Sequence, residues 1–106
     1  MPKYLVQGCY TPDGLNGLLK EKASGRKSAV MAAVKSVKGK MDCLYFGANG
    51  SDIVMIVDAP DNVSVASLTV TVMSSGAVDL IVTPLLTVDE MDAALTMSPK
   101  YRAPGL

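Results

Sequence analysis

Pro60-Asp61-Asn62-Val63-Ser64-Val65-Ala66-Ser67-Leu68-Thr69-Val70-Thr71-Val72-Met73-Ser74-Ser75-Gly76 is the segment on whose reading the fold turns. By propensity it favours a strand: Val63, Val65, Thr69, Val70, Thr71 and Val72 are β-branched and suit a pleated surface. By spacing it favours a helix: Val65, Leu68, Val72 and Met73 form one stripe. Two further signals decide for the helix. Pro60-Asp61-Asn62 offers a start and Gly76 a stop. The rest of the chain also asks for a helix here, because it then spells strand, helix, strand twice. The first phrase spans Tyr4 to Phe46 and the second Ile53 to Leu86.

Working outward, Asp52 to Asp58 precedes the segment and reads as a strand. Its run Ile53-Val54-Met55-Ile56-Val57 has no polar interruption, which predicts burial on both faces and a central place in a sheet. Gly47-Ala48-Asn49-Gly50-Ser51 is a turn rich in residues that tolerate positive φ. Met41 to Phe46 is the strand before it. Val78 to Leu85 is the last strand. Thr87-Val88-Asp89-Glu90 is a capping box opening a short helix over Met91, Ala94 and Leu95.

At the other end, Lys3 to Tyr10 is a strand. Tyr4, Val6, Gly8 and Tyr10 point one way; Leu5, Gln7 and Cys9 point the other. Thr11 caps the next helix, with Pro12 in its first turn and Leu15, Leu18 and Leu19 as its stripe. Ser24-Gly25 interrupts it, and Ser24 is expected to cap a second helical segment. Ala29, Val30, Ala33, Val34 and Val37 continue at helical spacing, with Gly39 at the terminating position. With right-handed crossovers this order gives a ferredoxin-like α+β fold. It has a four-stranded antiparallel sheet in the order fourth, first, third, second, and helices on one face. The other face needs a cover that the chain is too short to supply. The expectation is a homodimer or higher homo-oligomer, its sheets packed into a dimeric α+β barrel.

A chain of 106 residues reads as one domain, 1–106. At this size folding buries only about two-thirds of the unfolded surface, so a partner would add needed stability. Net charge is zero, which argues against a general nucleic-acid or membrane-surface role. Met1-Pro2-Lys3 leads straight into a strand without a long apolar segment, so the expected compartment is the cytoplasm. The absence of histidine removes imidazole bases and imidazole metal ligands. Cys9 and Cys43 would lie two strands apart, about 9.6 Å at ~4.8 Å per strand, beyond the roughly 7 Å limit for a disulfide.

Charge is segregated along the chain. Lys20, Lys22, Arg26, Lys27, Lys35, Lys38 and Lys40 are opposed only by Glu21 in their stretch. Met41 to Pro99 has no lysine or arginine but carries Asp42, Asp52, Asp58, Asp61, Asp79, Asp89, Glu90 and Asp92. The basic stretch reads as a solvated helix face, an anion site near Ser24-Gly25-Arg26-Lys27, or a match to an acidic surface on another subunit. Gly25-Arg26-Lys27-Ser28 is not a phosphate-binding loop, because no strand precedes it and the Gly-Lys-Ser ending is missing.

The polar residues in or beside strands are Gln7, Tyr10, Asp42, Tyr45, Ser51, Asp52, Asp58 and Asp79. No nucleophile–base pair, metal-ligand cluster or dinucleotide fingerprint is among them, and no cofactor is expected. Asp52 after its glycine turn reads either as a carboxylate bonding turn amides or as a group at a pocket mouth beside Tyr10 or Tyr45. A ligand site, if present, is expected between sheet and helices near Tyr10, Tyr45 and Asp52, with Arg26 and Lys20 attracting an anion.

Short matches run along nearly the whole chain. They are Tyr4-Leu5-Val6 through Tyr10-Thr11, Gly14-Leu15, Gly17-Leu18-Leu19, the turn before Asp52-Ile53-Val54, and Asp58-Ala59-Pro60-Asp61. Further on come Ser75-Gly76-Ala77-Val78, Thr83-Pro84-Leu85-Leu86-Thr87 and Tyr101-Arg102-Ala103-Pro104-Gly105. In these the chain resembles the GYD-domain family of small bacterial proteins, within the dimeric α+β barrel superfamily. The naming Gly-Tyr-Asp triplet stands here as Gly50-Ser51-Asp52, without the aromatic ring. The resemblance implies the fold and self-association but no established reaction. Two functional classes follow: a small binding or structural module, or a cofactor-independent oxygenase or isomerase acting on a small organic substrate.

Overall fold

A computed structural model describes residues 1–106. The strands are β1 (Lys3–Tyr10), β2 (Lys40–Phe46), β3 (Asp52–Asp58) and β4 (Val78–Leu85); the helices are α1 (Pro12–Ser36), α2 (Asn62–Met73) and α3 (Val88–Thr96). The strands form one antiparallel sheet in the order β2-β3-β1-β4, the expected order read from the other edge. Residues 62–73 are helical despite their valines and threonines. Local bonds reinforce that choice: Asp61 Oδ1 accepts from the Ser64 amide at 2.8 Å, and the Thr69 hydroxyl donates to the Val65 carbonyl at 2.8 Å.

Alternation along the strands separates two faces. Tyr4, Val6, Ile53, Met55, Val57 and Val78 are buried beneath the helices. Val34 of α1, Val65 of α2 and Ala59 join Tyr4, Val6, Met55 and Val57 in the main core cluster, while Ile53 and Val78 pack with Tyr10 in a second one. The unbroken run Ile53–Val57 predicted burial on both faces, and within one chain only one is covered. Val54 and Ile56 on the other face stay half-buried, beside Leu5 and the exposed Tyr45 and Ile81.

α1 is not continuous. The break falls at Lys22, with φ 65° and ψ 170°, rather than at Ser24-Gly25, and Ser24 makes no capping bond. At its far end the left-handed position belongs to Lys38 (φ 64°), not to Gly39. The Lys38 and Gly39 amides donate back to Lys35 and Val34, the Schellman pattern. Gly39 is required by close approach instead: a Cβ there would lie 2.6 Å from the Asp58 carbonyl oxygen.

The entry to α1 is pinned to the turn before β4. The Thr11 amide donates to Ala77 O at 3.0 Å, and the Thr11 hydroxyl to Gly76 O at 2.7 Å. A Cβ on Gly14 would sit 1.9 Å from that same Ala77 oxygen, so the backbones meet only because residue 14 is glycine.

The chain beyond β4 leaves the body. Every residue from Leu86 to Leu106 is exposed, and α3 buries none of its side chains. The radius of gyration is 16.8 Å, against about 13 Å for a compact chain of this length. Tyr101 is 70% exposed in its own subunit.

Two glycines of α1 should respond oppositely to alanine. Gly14→Ala forces the helix off Ala77 and should destabilise by about 2–3 kcal/mol in urea unfolding. Gly17→Ala meets no atom within 4 Å and should stabilise by about 0.5–1 kcal/mol, because only the unfolded chain loses freedom.

Candidate functional site between sheet and helices

α1 and α2 do not close completely over the sheet. Between them lies a cavity of about 360 Å³, within the range of small-molecule sites. Its floor is Val6, Tyr10, Ile53, Met55, Val57, Val78 and Leu80 of the sheet. Its walls are Ala29, Val30, Ala33 and Val34 of α1 and Val65, Leu68 and Val72 of α2. The polar groups on the lining are few: Asp13, Glu21 and Arg26 of α1, Thr69 of α2 and Ser75 of the turn that follows it. The space exists because the residues facing it from α1 are small, and because α1 bends at Lys22 instead of running straight.

Arg26 is the informative group. Its Nη1 donates to Glu21 Oε2 at 3.1 Å, an i,i+5 pair that a straight helix would not bring onto one face. Its Nε is buried and has no hydrogen-bond partner. Nε–H can only donate, so an acceptor is missing there. An unsatisfied buried donor costs about 1–3 kcal/mol, more when charged.

The five residues singled out in the sequence are not brought together. Tyr10 and Arg26 line the cavity. Tyr45 is 70% exposed and belongs to the opposite sheet face. Asp52 also lies off the lining; its Oδ2 accepts from Asn49 Nδ2 at 2.7 Å, while Asn49 Oδ1 takes the Ser51 and Asp52 amides. Asn49 thus bonds the turn amides, and Asp52 holds Asn49. Lys20 is exposed on α1 and does not line the cavity. Asp13, Glu21, Thr69 and Ser75 were missed. Only their placement by the helices marks them, since no spacing in the sequence does.

A second cluster of charges sits at one end of the uncovered sheet face. The Lys3 ammonium donates to Asp42 and, at 2.9 Å, to Asp58. Those bonds, to Asp42 first, hold Lys3 above its usual pKa of 10.5. The bond from Lys3 keeps Asp42 below the usual 3.8. Asp61 is lowered by the backbone amide of Ser64 that it caps. No three cysteine or acidic side chains converge in a way that could hold a metal ion.

An α+β chain with a ferredoxin-like sheet, two packed helices and an apolar cavity between the layers is the class these features define. Within that class the GYD domain family model matches residues 4–95, and the chain belongs to that family. No curated protein matches the chain. No helix is long and apolar enough to cross a membrane.

The carboxylates set the acid limb of stability. Asp42 and Asp61 have depressed values in the folded state, so their contribution is present above about pH 4 and lost as pH falls through their folded pKa. Lys3 works in the opposite sense: its contribution is full below its unfolded value and lost as pH rises beyond it. Urea midpoints between about pH 2 and pH 6 should fall towards acid, and Asp42→Asn should make that fall shallower.

Proposed function

We propose that the protein is a small homodimeric binding module that holds an apolar ligand with one hydrogen-bond acceptor between its sheet and its helices. The observation that carries this is the buried, unpartnered Arg26 Nε on the lining of a mainly apolar cavity. The hydrocarbon walls bind the body of the ligand. A carbonyl or carboxylate oxygen supplies the acceptor that Arg26 lacks. Glu21 takes a bond from Nη1, and Nε is the buried donor of the guanidinium that has no acceptor.

Self-association is argued from the opposite face. Leu5, Val54, Ile56, Ile81 and Tyr45 lie on a four-stranded surface with no helix over it. Stacking two such faces covers both at once, and a two-fold axis makes the contact self-complementary. Sedimentation at micromolar concentration should show a dimer; a single monomeric species would end this reading.

The ligand reading is tested by thermal shift against a panel of medium-chain and aromatic monocarboxylates. A ligand present at a hundredfold its Kd should add about 2.7 kcal/mol of stability. Ala33→Phe, which fills the cavity, should abolish the shift. Arg26→Leu should weaken binding about tenfold or more. A panel that leaves the melting curve unmoved, together with native mass spectra free of bound small molecules, would reject the site.

A further inference from the structure

The segment after β4 is well formed locally but unsupported. α3 has a complete capping box, with Glu90 N–H to Thr87 Oγ1 at 3.1 Å and Thr87 N–H to Glu90 Oε1 at 2.9 Å. Yet it has only nine residues, and an isolated helix shorter than ~12–15 residues is marginal in water. Met91, Leu95, Met97 and Tyr101 lie exposed along it and the tail. Such a helix needs a surface, and its own subunit does not provide one.

Three observations say where that surface is. First, Leu85 at the end of β4 pairs with Lys3, Lys3 with Asp58, and Asp58 with Lys40 at the start of β2. The arm therefore leaves from the same end of the sheet at which β2 begins, on the opposite edge. Second, the first turns of α3 carry Asp89, Glu90 and Asp92, while Lys35, Lys38 and Lys40 cluster where α1 hands over to β2. None of these six groups makes a salt bridge within its own chain. Third, α1 packs over β2 and α2 over β4, so the basic patch belongs to the edge that the arm of its own subunit does not reach.

A two-fold axis along the strands resolves all three. It sets β4 of one sheet over β2 of the other with the strand ends in register. An axis across the strands would instead bring the acidic first turns of α3 towards the Asp79 end of a second β4, acid against acid. We infer that residues 86–106 are an exchanged arm, α3 packing on a second copy of this chain with Asp89, Glu90 and Asp92 against that copy's Lys35, Lys38 and Lys40. The exchange is reciprocal, so each dimer gains two such contacts. This rests on the dimer proposed above and specifies how it is fastened.

The test uses the full chain, unlabelled and ¹⁵N-labelled, mixed until native mass spectrometry shows mixed dimers. A zero-length carbodiimide then joins touching carboxylates and amines. The expected product is a mixed-isotope cross-link between the Asp89–Asp92 peptide and a peptide carrying Lys35, Lys38 or Lys40. A dimer in which those arm links are found only in same-isotope form, or not at all, overturns the exchange and leaves the dimer standing. A chain that sediments as a monomer overturns both.

Discussion

Tyr4 is where the layers of this protein are joined. Its ring is fully buried in the core formed by Val34 of α1, Val57 of β3 and Val65 of α2. Its hydroxyl reaches the first residue of α2 and donates to Asn62 Oδ1 at 2.7 Å. One side chain on an inner strand thus contributes to sheet packing, to the seat of α1 and to the position at which α2 begins. With only ten hydrophobic residues buried, few other contacts could replace it. The small core also explains why the helices stand apart further along: many of the residues that α1 turns towards the sheet are alanine, valine and glycine, and space remains.

The fold was largely legible because its signals were local. Alternation marked β1, caps marked both ends of α2, and Thr87 with Glu90 marked α3. The helix at residues 62–73 overcame its β-branched content because the sheet below needed a cover and the Asp61 cap supplied the start. The break in α1 was misplaced by two residues. Sequence pointed to glycine as the weak position, whereas the distortion falls on Lys22, where no residue type announces it.

The site was less legible, for a physical reason. A cavity is defined by what is absent, and its lining is drawn from several elements whose residues look like ordinary core. Tyr10 and Arg26 were visible as polar groups beside an apolar layer. Tyr45 and Asp52 were equally polar, but alternation and the Asn49 turn direct them elsewhere. Which polar residues share a space depends on side-chain direction across elements, and one-dimensional spacing carries little of that.

The conformation at Lys22 fixes where one wall of the cavity stands. A lysine at φ 65° and ψ 170° occupies a region of backbone space used almost solely by glycine, at a cost of about 1–3 kcal/mol. The residues before it are tied to the Ala77 turn through Thr11; those after it are tied to the sheet through Val34. α1 is therefore two short levers meeting at one loaded joint, bridged by the Glu21–Arg26 pair. One wall of the cavity is therefore placed by the backbone of a single residue, Lys22, rather than by the packing of a straight helix.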